Sequence, residues 1–383
     1  MQRIDGIAVW GDPVEPRALA QMRRCARTAE CAAMMADHHP GYAVPIGGVI
    51  AFADRVSPSA VGYDIACGNK AVRLDLPAAE LRRDIRGILD RIATGLSFGV
   101  GGRNPEPADH PLFDDPAWAH PAVARLRALA RAQLGTVGGG NHFVDLFVDG
   151  QDRVWAGVHC GSRGFGQKTA EWFLHAGGAS DGMDVEPLLL DADRGLGAEY
   201  LACMALAGRY AYAGRDRICE TVARLLGASI LEAVHNHHNF AWRERHGGRE
   251  LWVIRKGATP AFPGQRSFIG GSMGDISVIV EGVAHPEAEA ALCSTVHGAG
   301  RVMGRREARG KVNRRTGILT RPGRVTPAMM RGWLEREGVE LRGGGVDESP
   351  HCYKRLPDVL AAHQGSIRIL HTLRPVGVVM APG

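Results

Sequence analysis

Two side chains that can bind a metal ion stand three residues apart in the segment VGYDIACGNK. Asp64 and Cys67 are flanked by Gly62 and Gly68. A carboxylate and a thiol on one turn can reach a single ion, and a thiolate can bridge two ions. An Asp-x-x-Cys pair also arises by chance, and a free cysteine is usually a core residue. The pair therefore indicates a metal site only in combination with further ligands.

Histidines at the ends of predicted elements can supply those ligands. His142 follows the glycines of GTVGGGN, His159 ends a predicted strand, and the HNHHN segment (residues 235–239) ends a predicted helix. His142 can equally be a hydrogen-bonded core residue. Polar groups as dense as those in HNHHN are hard to explain as packing, so this segment is predicted to face a site. The mixture of nitrogen, oxygen and sulfur ligands suits Zn, Mn, Fe or Co.

Glycine-rich segments beside basic side chains indicate a phosphate ligand. The amides of GGG (138–140) and of GGSMG (270–274) can cradle phosphate oxygens. Arg163, four residues after a candidate ligand, can offer a bidentate fork to phosphate. Alternation through residues 141–148 predicts that Asn141, Phe143 and Asp145 share one strand face.

His297 lies in the tight turn HGAGR, where Gly298 and Gly300 leave its ring sterically open. A neutral imidazole is a competent nucleophile towards phosphorus near pH 7. The alternatives are another metal ligand or a plain turn histidine. Metal ions nearby would offset phosphate charge and polarise the P–O bond.

Strands must hold these loops in place. Hydrophobic patterns predict strands over 44–51, 70–74, 143–148, 154–158, 251–254 and 276–280, with one or two more over 367–380. Patterns of helical period cover 78–96, 117–134, 195–212, 216–235 and 327–337. Residues 104–116 resemble a surface loop. Together they predict an α/β fold, a rigid mixed sheet with a loop-built site.

Composition excludes several protein classes. The 383 residues are 45% hydrophobic and 23% charged, which excludes disordered, collagen-like and coiled-coil chains. No apolar run approaches the roughly 18 residues of a membrane span, and a cytoplasmic protein with reduced thiols is expected. Arginine outnumbers lysine 41 to 5 at a net charge of +5. That bias suits phosphate and nucleic-acid ligands, but a GC-rich genome produces it equally.

The order of the motifs resembles that of one known family. DIACG, GGGNHF, VHCGSRG, HHN, RKGA, GGSMG and HGAGR follow one another as in the RtcB RNA-splicing ligases. MADHHPGYAVPIGGVIA (35–51), DESPHCYK (347–354) and HTLRPV (371–376) also resemble that family. The resemblance implies the family's α/β fold, with residues 1–383 forming one compact domain.

The resemblance also implies an activity. Such ligases use Mn²⁺ and GTP to join an RNA 3′-phosphate, or 2′,3′-cyclic phosphate, to a 5′-hydroxyl, often with an accessory protein. A histidine takes GMP from GTP, passes it to the RNA 3′-phosphate, and the 5′-hydroxyl then displaces it.

Each role is implied for a matching residue of this sequence. His297 matches the histidine that carries GMP. The matching metal ligands are Asp64, Cys67, His142, His159 and His238. Residues matching guanylate-contacting positions are Asn141, His142, Asp145, Asn239, Gly270, Gly271, Ser272, Met273, Ser277, His297, Gly298, Ala299 and Gly300. Arg163, Lys256 and Arg301 match residues that hold phosphates, and the Arg-rich segment 301–315 is predicted to contact RNA.

Three positions depart from the family pattern. Met380 stands in place of the lysine near the C-terminus, Asp145 in place of a glutamate, and Gly304 in place of a common serine. Two alternatives therefore stand beside the ligase. One is a paralogue that caps nucleic-acid 3′-ends or acts on DNA. The other is a metal-dependent phosphoesterase or a non-catalytic binder of RNA ends.

Overall fold

A computed structural model describes residues 1–180, 182–312 and 319–383 of the chain. The strands within these ranges are β1 (Gln2–Ile4), β2 (Ile7–Val9), β3 (Cys31–His39), β4 (Ile46–Phe52), β5 (Arg55–Val56), β6 (Gly68–Pro77), β7 (Phe143–Asp149), β8 (Arg153–Cys160), β9 (Leu190–Asp191), β10 (Ile230–His237), β11 (Asn239–His246), β12 (Arg249–Lys256), β13 (Ala258–Pro260), β14 (Arg266–Ile269), β15 (Ser277–Gly282), β16 (Ser294–Val296), β17 (Gly310–Val312), β18 (Leu319–Pro322), β19 (Glu340–Gly344) and β20 (Ile367–Pro382).

Helices connect and cover these strands. They are α1 (Pro16–Ala26), α2 (Pro58–Val61), α3 (Ala78–Arg83), α4 (Ile85–Gly95), α5 (Pro121–Ala124), α6 (Arg127–Gln133), α7 (Arg163–Ala176), α8 (Gly195–Leu226), α9 (Pro286–Ala290), α10 (Arg305–Arg309), α11 (Pro327–Glu337) and α12 (Leu356–Ala361). Short 3₁₀ turns occupy Pro111–Asp114, Pro116–Ala119, Val346–Glu348 and Pro350–Cys352.

Two large sheets organise the molecule. A six-stranded sheet runs in the order β1-β2-β3-β4-β12-β11, and an eight-stranded sheet runs β10-β6-β8-β7-β20-β15-β14 with β19 beside β20. Most neighbours are antiparallel, but β2–β3 and β19–β20 are parallel. The prediction of a compact α/β fold with mixed sheets is therefore confirmed.

Both faces of each sheet are buried. Alternation in β3 sends Met34 and Met35 into two different apolar cores. Helix α8 spans 32 residues, about 48 Å at 1.5 Å per residue. Its first half, with Tyr200 and Tyr210, packs in a core shared with the six-stranded sheet, whereas Ile218 packs in a core shared with the eight-stranded sheet. The helix thus couples the two sheets.

Strand register brings four strand ends to one edge of the eight-stranded sheet. Gly68, which begins β6, pairs with Cys160 at the end of β8 and with His237 at the end of β10. Phe143, which begins β7, pairs with His159. Because neighbouring antiparallel strands alternate in direction, starts and ends collect at the same edge. This edge carries the site.

The helix predicted over 216–235 is wrong in its second half. Helix α8 ends at Leu226, because Gly227 adopts a left-handed conformation (φ 66°) and its N–H donates the terminal hydrogen bonds to the Ala223 and Arg224 carbonyls. Residues 230–237 instead form β10, which pairs with β6. The periodicity of an apolar segment cannot by itself separate a buried strand from a helix.

The other element predictions have mixed outcomes. The helix predicted over 117–134 is broken into a 3₁₀ turn, α5 and α6, because Pro121 lacks the N–H that a continuing helix needs. The segments 195–212 and 216–226 form one helix rather than two. All the predicted strands are present, and 367–380 lies in one long strand. No helix in the described part of the chain is both long and apolar enough to cross a bilayer.

Candidate active site

Three of the predicted metal ligands converge at the strand edge. Cys67, His142 and His159 are buried, and their potential ligand atoms all lie within 4.8 Å of one another. Cys67 Sγ lies 3.7 Å from His142 Nε2 and 3.4 Å from His159 Nε2. Soft sulfur and imidazole nitrogen at this spacing form a donor set for a transition-metal ion.

Asp64 and His238 extend this cluster. The Asp64 carboxylate lies 3.0 Å from His142 Nε2, and the His238 ring stacks on His159 with centroids 5.1 Å apart. His238 Nδ1 is buried and has no hydrogen-bond partner among the described residues. An unpaired buried nitrogen costs about 1–3 kcal/mol. A metal ion would satisfy it, so the residues present fit a metal centre.

Hydrogen bonds fix the orientation of two imidazoles. His159 Nδ1 lies 2.6 Å from Asn69 Oδ1, and His142 Nδ1 lies 3.0 Å from the Val137 carbonyl. These bonds leave Nε2 of both rings facing the Cys67 sulfur, as ligating histidines require. Sequence reasoning missed Asn69, although it follows the DIACG motif directly.

The electrostatics of the cluster also suit a bound cation. Burial raises the pKa of the Cys67 thiol well above its usual value, and the Asp64 charge adds to the effect. Burial opposes ionisation of Asp64, but His142 and Arg163 hold its pKa at about 2. A bound divalent ion would stabilise the thiolate that the isolated protein disfavours.

His297 lies next to the cluster and is anchored by Asp37. Its Nδ1 is 2.6 Å from Asp37 Oδ2, and its backbone N–H donates to the same oxygen at 3.1 Å. Burial opposes ionisation of Asp37, but His297 holds the pKa of that carboxyl below its usual value. The ring centroid of His297 is 4.7 Å from that of His238. Nε2 of His297 is therefore the nitrogen left for chemistry.

Sequence reasoning missed Asp37 as a partner of His297. The two residues are 260 positions apart, and only the MADHHPG motif marked this segment. Gly300 has a positive φ of 79°, and a side chain there would collide with the Asp37 backbone. This close approach explains one glycine of HGAGR.

A cleft opens over His297 and brings most of the predicted nucleotide residues together. Those that line it are Asn141, Asp145, Gly270, Gly271, Ser272, Met273, His297, Gly298, Ala299 and Gly300. Ser277 does not line it, but its hydroxyl accepts the Gly271 N–H at 2.9 Å and holds that loop. Asn239 accepts the Gly257 N–H at 2.7 Å and donates to the Asp64 carbonyl at 3.3 Å. The lining also includes residues that sequence reasoning did not assign: His39, Asn69, Glu348, Tyr353 and Val378.

The three residues predicted to hold phosphate lie in three different surroundings. Arg163 begins α7 and lies 3.3 Å from both Thr136 Oγ1 and His142 Nδ1. Arg301 lines the cleft and donates to the Tyr353 hydroxyl at 2.8 Å. Lys256 is buried away from the cleft lining and donates to the Tyr42 and Ser59 carbonyls. Burial lowers the pKa of Lys256 to about 8.

The Arg-rich segment predicted to contact RNA is described only in part. Residues 313–318 lie outside the described residues. Arg305 begins α10 and pairs with Asp347 at 2.8 Å. Arg301 contacts Glu348 at 3.3 Å.

The HNHHN segment does not face the site as a whole. His235 and His237 lie in β10 and, being two residues apart, share one strand face, where they contact Arg215 on α8 at 2.7 and 2.9 Å. His238 follows the end of β10 and joins the ligand cluster. The expectation of one polar cluster facing a site is therefore wrong for His235 and His237.

Asp145 and Met380 both line the cleft. Met380 pairs with Phe143 across β20 and β7, which places it diagonally from Asp145. Oδ1 of Asp145 is buried and has no hydrogen-bond partner among the described residues. Burial raises the pKa of this carboxyl well above its usual value and so favours its protonated form in the free protein.

We expect Asp145→Asn to stabilise the free protein near neutral pH. The unfolded chain loses the Asp145 proton near pH 4, whereas the folded protein retains it. Wild type should therefore lose about 1.4 kcal/mol of unfolding free energy per pH unit, relative to the variant, from about pH 4 up to the folded pKa. Urea unfolding of both proteins from pH 4 to 8 measures this difference. A pH-independent difference would contradict the burial argument.

Comparison with known proteins agrees with this geometry. The family model described as "tRNA-splicing ligase RtcB" matches residues 18–122 and 114–381. The RNA-splicing ligase RtcB of Escherichia coli K12 is 32% identical, covering 97% of this chain and 96% of its own length. The tRNA-splicing ligase RtcB of Archaeoglobus fulgidus is 31% identical, covering 90% and 86%. The RNA-splicing ligase RtcB of Mycobacterium bovis is 29% identical, covering 90% and 95%. The chain therefore belongs to the RtcB family of RNA-splicing ligases and is an RNA ligase.

Proposed function

We propose that this ligase uses GTP and Mn²⁺ to join an RNA 3′-phosphate, or a 2′,3′-cyclic phosphate once opened, to a 5′-hydroxyl. The supporting observation is the position of His297. Asp37 occupies Nδ1, so the Nε2 lone pair is free beside the ligand cluster and under the glycine-lined cleft. Residues 1–383 would act as one ligase domain, and an accessory protein can assist turnover.

The first step is transfer of GMP to His297. Nε2 attacks the α-phosphorus of GTP, an N–P bond forms, and the bond to the β-phosphate oxygen breaks as pyrophosphate leaves. Asp37 accepts a hydrogen bond from Nδ1–H of His297 and stabilises the positive charge that develops on the ring. Asn141 and residues 270–273 line the cleft that the nucleotide would occupy.

The next two steps consume the RNA ends. An oxygen of the RNA 3′-phosphate attacks the GMP phosphorus and breaks the N–P bond, which restores neutral His297. The 5′-hydroxyl then attacks the activated 3′-phosphorus, loses its proton, and expels GMP. Metal ions held by Asp64, Cys67, His142, His159 and His238 would supply charge neutralisation and polarise the P–O bonds. Arg301, which lines the cleft, and Arg163, which lies beside His142, would hold phosphate oxygens.

A direct assay tests this function. RNA with a 3′-phosphate is mixed with RNA bearing a 5′-hydroxyl, together with Mn²⁺ and either GTP or ATP. We expect joined RNA with GTP, with one GMP released per joint. Unjoined RNA with any nucleotide would overturn the proposal.

A second candidate is a 3′-end capping or DNA-active paralogue. The observation that favours it is that Met380 and the unpartnered Asp145 both line the cleft. In the same assay this enzyme would accumulate RNA carrying a 3′-guanylate that is never joined, or would join only DNA ends.

We expect Met380→Lys to strengthen GTP binding. An ammonium group in the cleft adds a charge-assisted hydrogen bond to the guanylate. Such a bond is worth roughly 1.5–3 kcal/mol, which lowers the Kd for GTP at least about tenfold. Calorimetric titration with a non-hydrolysable GTP analogue measures the change. Met329→Lys, on the exposed face of α11, controls for added charge. Unchanged or weaker GTP binding would show that Met380 does not face the nucleotide.

We expect Asp37→Asn to slow GMP transfer by about 10²-fold or more while leaving the fold intact. An amide can donate to Nδ1, which favours the ring tautomer with its proton on Nε2 and removes the nucleophilic lone pair. Single-turnover labelling with GTP measures the rate. Asp149→Asn, which alters another buried and hydrogen-bonded aspartate at the far end of β7, serves as control. An unchanged rate of GMP transfer would show that Asp37 does not contribute to this step.

A further inference from the structure

One buried cation has no part in the mechanism above. Arg215 lies in the middle of α8 and is fully buried. Its hydrogen-bond acceptors are the carbonyls of Ala66 (3.1 Å) and Cys160 (2.6 Å) and ring nitrogens of His235 (2.7 Å) and His237 (2.9 Å). No carboxylate of the described chain accepts a hydrogen bond from its guanidinium. A buried charge held only by neutral groups is costly and must be retained for another reason.

Three of these acceptors belong to residues that stand next to proposed metal ligands in the sequence. Ala66 precedes Cys67, Cys160 follows His159, and His237 precedes His238. A single planar guanidinium therefore forms hydrogen bonds to three separate segments, in each case at the residue directly beside a proposed ligand. Gly68 also lies against it, since a side chain there would meet the guanidinium carbon at 3.1 Å.

The strand ladder between β6 and β10 does not include Cys67 and His238. Its pairing ends at His237–Gly68, so these two residues lie one residue beyond it. Past that point two backbone bonds join the segments, from the His238 N–H to the Cys67 carbonyl and from the Ala66 N–H to the Asn239 carbonyl, both at 2.8 Å. Strand ends open readily when few contacts hold them. The Arg215 guanidinium adds side-chain hydrogen bonds to these two backbone bonds and also reaches Cys160 at the end of β8.

The two imidazoles suit this role. A guanidinium can only donate, and the ring nitrogens that face it, His235 Nε2 and His237 Nδ1, lie 2.7 and 2.9 Å from its nitrogens. His235 and His237 are two residues apart in β10, so both rings offer an acceptor to Arg215 from the same strand face. This contact accounts for the two histidines of HNHHN that do not join the ligand cluster.

We propose that Arg215 is a positioning residue that sets the spacing of Cys67, His159 and His238 by bonding the residue next to each. The inference rests on the metal centre of the proposed function. Lysine at this position keeps the charge but loses the planar fork, so it cannot hold all three segments at once.

Cobalt binding tests this inference without nucleotide or RNA. Metal-free wild type and Arg215→Lys are titrated with Co²⁺, and the thiolate-to-cobalt absorption band is recorded. We expect Co²⁺ affinity to fall about 10–100-fold in the variant, with a shifted band. Arg255→Lys is the matched control. Arg255 is equally buried, but its bonds go to Glu244, Ser294 and Leu292, none of them next to a proposed ligand.

The control separates positioning from stability. Both lysine variants should lose thermal stability, but only Arg215→Lys should bind Co²⁺ weakly. If Arg215→Lys does not fold, His235→Ala removes one anchor of the guanidinium and should weaken Co²⁺ binding less, by several-fold. Wild-type affinity and spectrum in Arg215→Lys, or in a folded His235→Ala, would overturn the inference. Failure of wild type to bind Co²⁺ would instead overturn the metal centre itself.

Discussion

Incubation of the protein with α-labelled GTP and Mn²⁺ should leave acid-labile, alkali-stable label on the wild type and none on His297→Ala. The label reports an N–P bond to the only ring nitrogen that Asp37 leaves open. Because alanine removes the nucleophile itself, we expect both labelling and RNA joining to fall by about 10⁴-fold or more.

Two controls make that result specific. His175→Ala, which alters an exposed histidine near the end of α7, should label like wild type. ATP in place of GTP should label poorly if the Asp145 carboxyl recognises guanine. Full labelling of His297→Ala would place the nucleotide on another residue and would overturn the proposed chemistry.

Cys67→Ser should remove metal binding and, with it, joining activity. The hydroxyl of serine does not ionise near neutral pH, whereas the Cys67 sulfur, which lies 3.4 and 3.7 Å from the two imidazoles, can bind a metal ion as a thiolate. We expect Mn²⁺ or Co²⁺ affinity to fall more than about 100-fold, and single-turnover joining to fall by about 10³-fold or more. Equilibrium dialysis and the joining assay measure the two effects.

The matched control is another buried cysteine. Cys219→Ser places the same hydroxyl in an apolar core beneath the eight-stranded sheet. It should cost stability but leave metal affinity and joining unchanged. Metal affinity in Cys67→Ser equal to that in Cys219→Ser would mean that the sulfur is not a ligand. Removing metal with a chelator should abolish wild-type joining, and adding Mn²⁺ back should restore it.

Local sequence patterns were sufficient to predict those features of the protein that depend on residues close together in the chain. The strands over 143–148 and 154–158 and the helix over 327–337 follow from hydrophobic period and from proline and glycine signals. The alternation that puts Asn141 and Asp145 on one face also appears in the cleft. Residue chemistry indicated Asp64, Cys67 and the histidines as candidate ligands and His297 as a candidate nucleophile, and the family resemblance chose these roles among the alternatives.

The sequence could not predict whether residues 230–237 form a helix or a strand. That choice depends on pairing with β6 more than 150 residues earlier, and an apolar segment of this length suits either state. The same error affected the prediction for HNHHN, because His235 and His237 lie in β10 and face Arg215, whereas His238 lies beyond the end of the strand and joins the ligand cluster.

The sequence by itself determined which chemical groups this RNA ligase has and which short segments carry them. Only the tertiary structure decided which of those groups meet. Asp37 reaches His297, and Arg215 reaches the neighbours of three ligands, across separations of 260 and up to 149 residues. Such contacts depend on strand register and on α8 packing against both sheets, which are set by the burial of the whole core. The spacing of residues along the chain therefore does not predict these contacts.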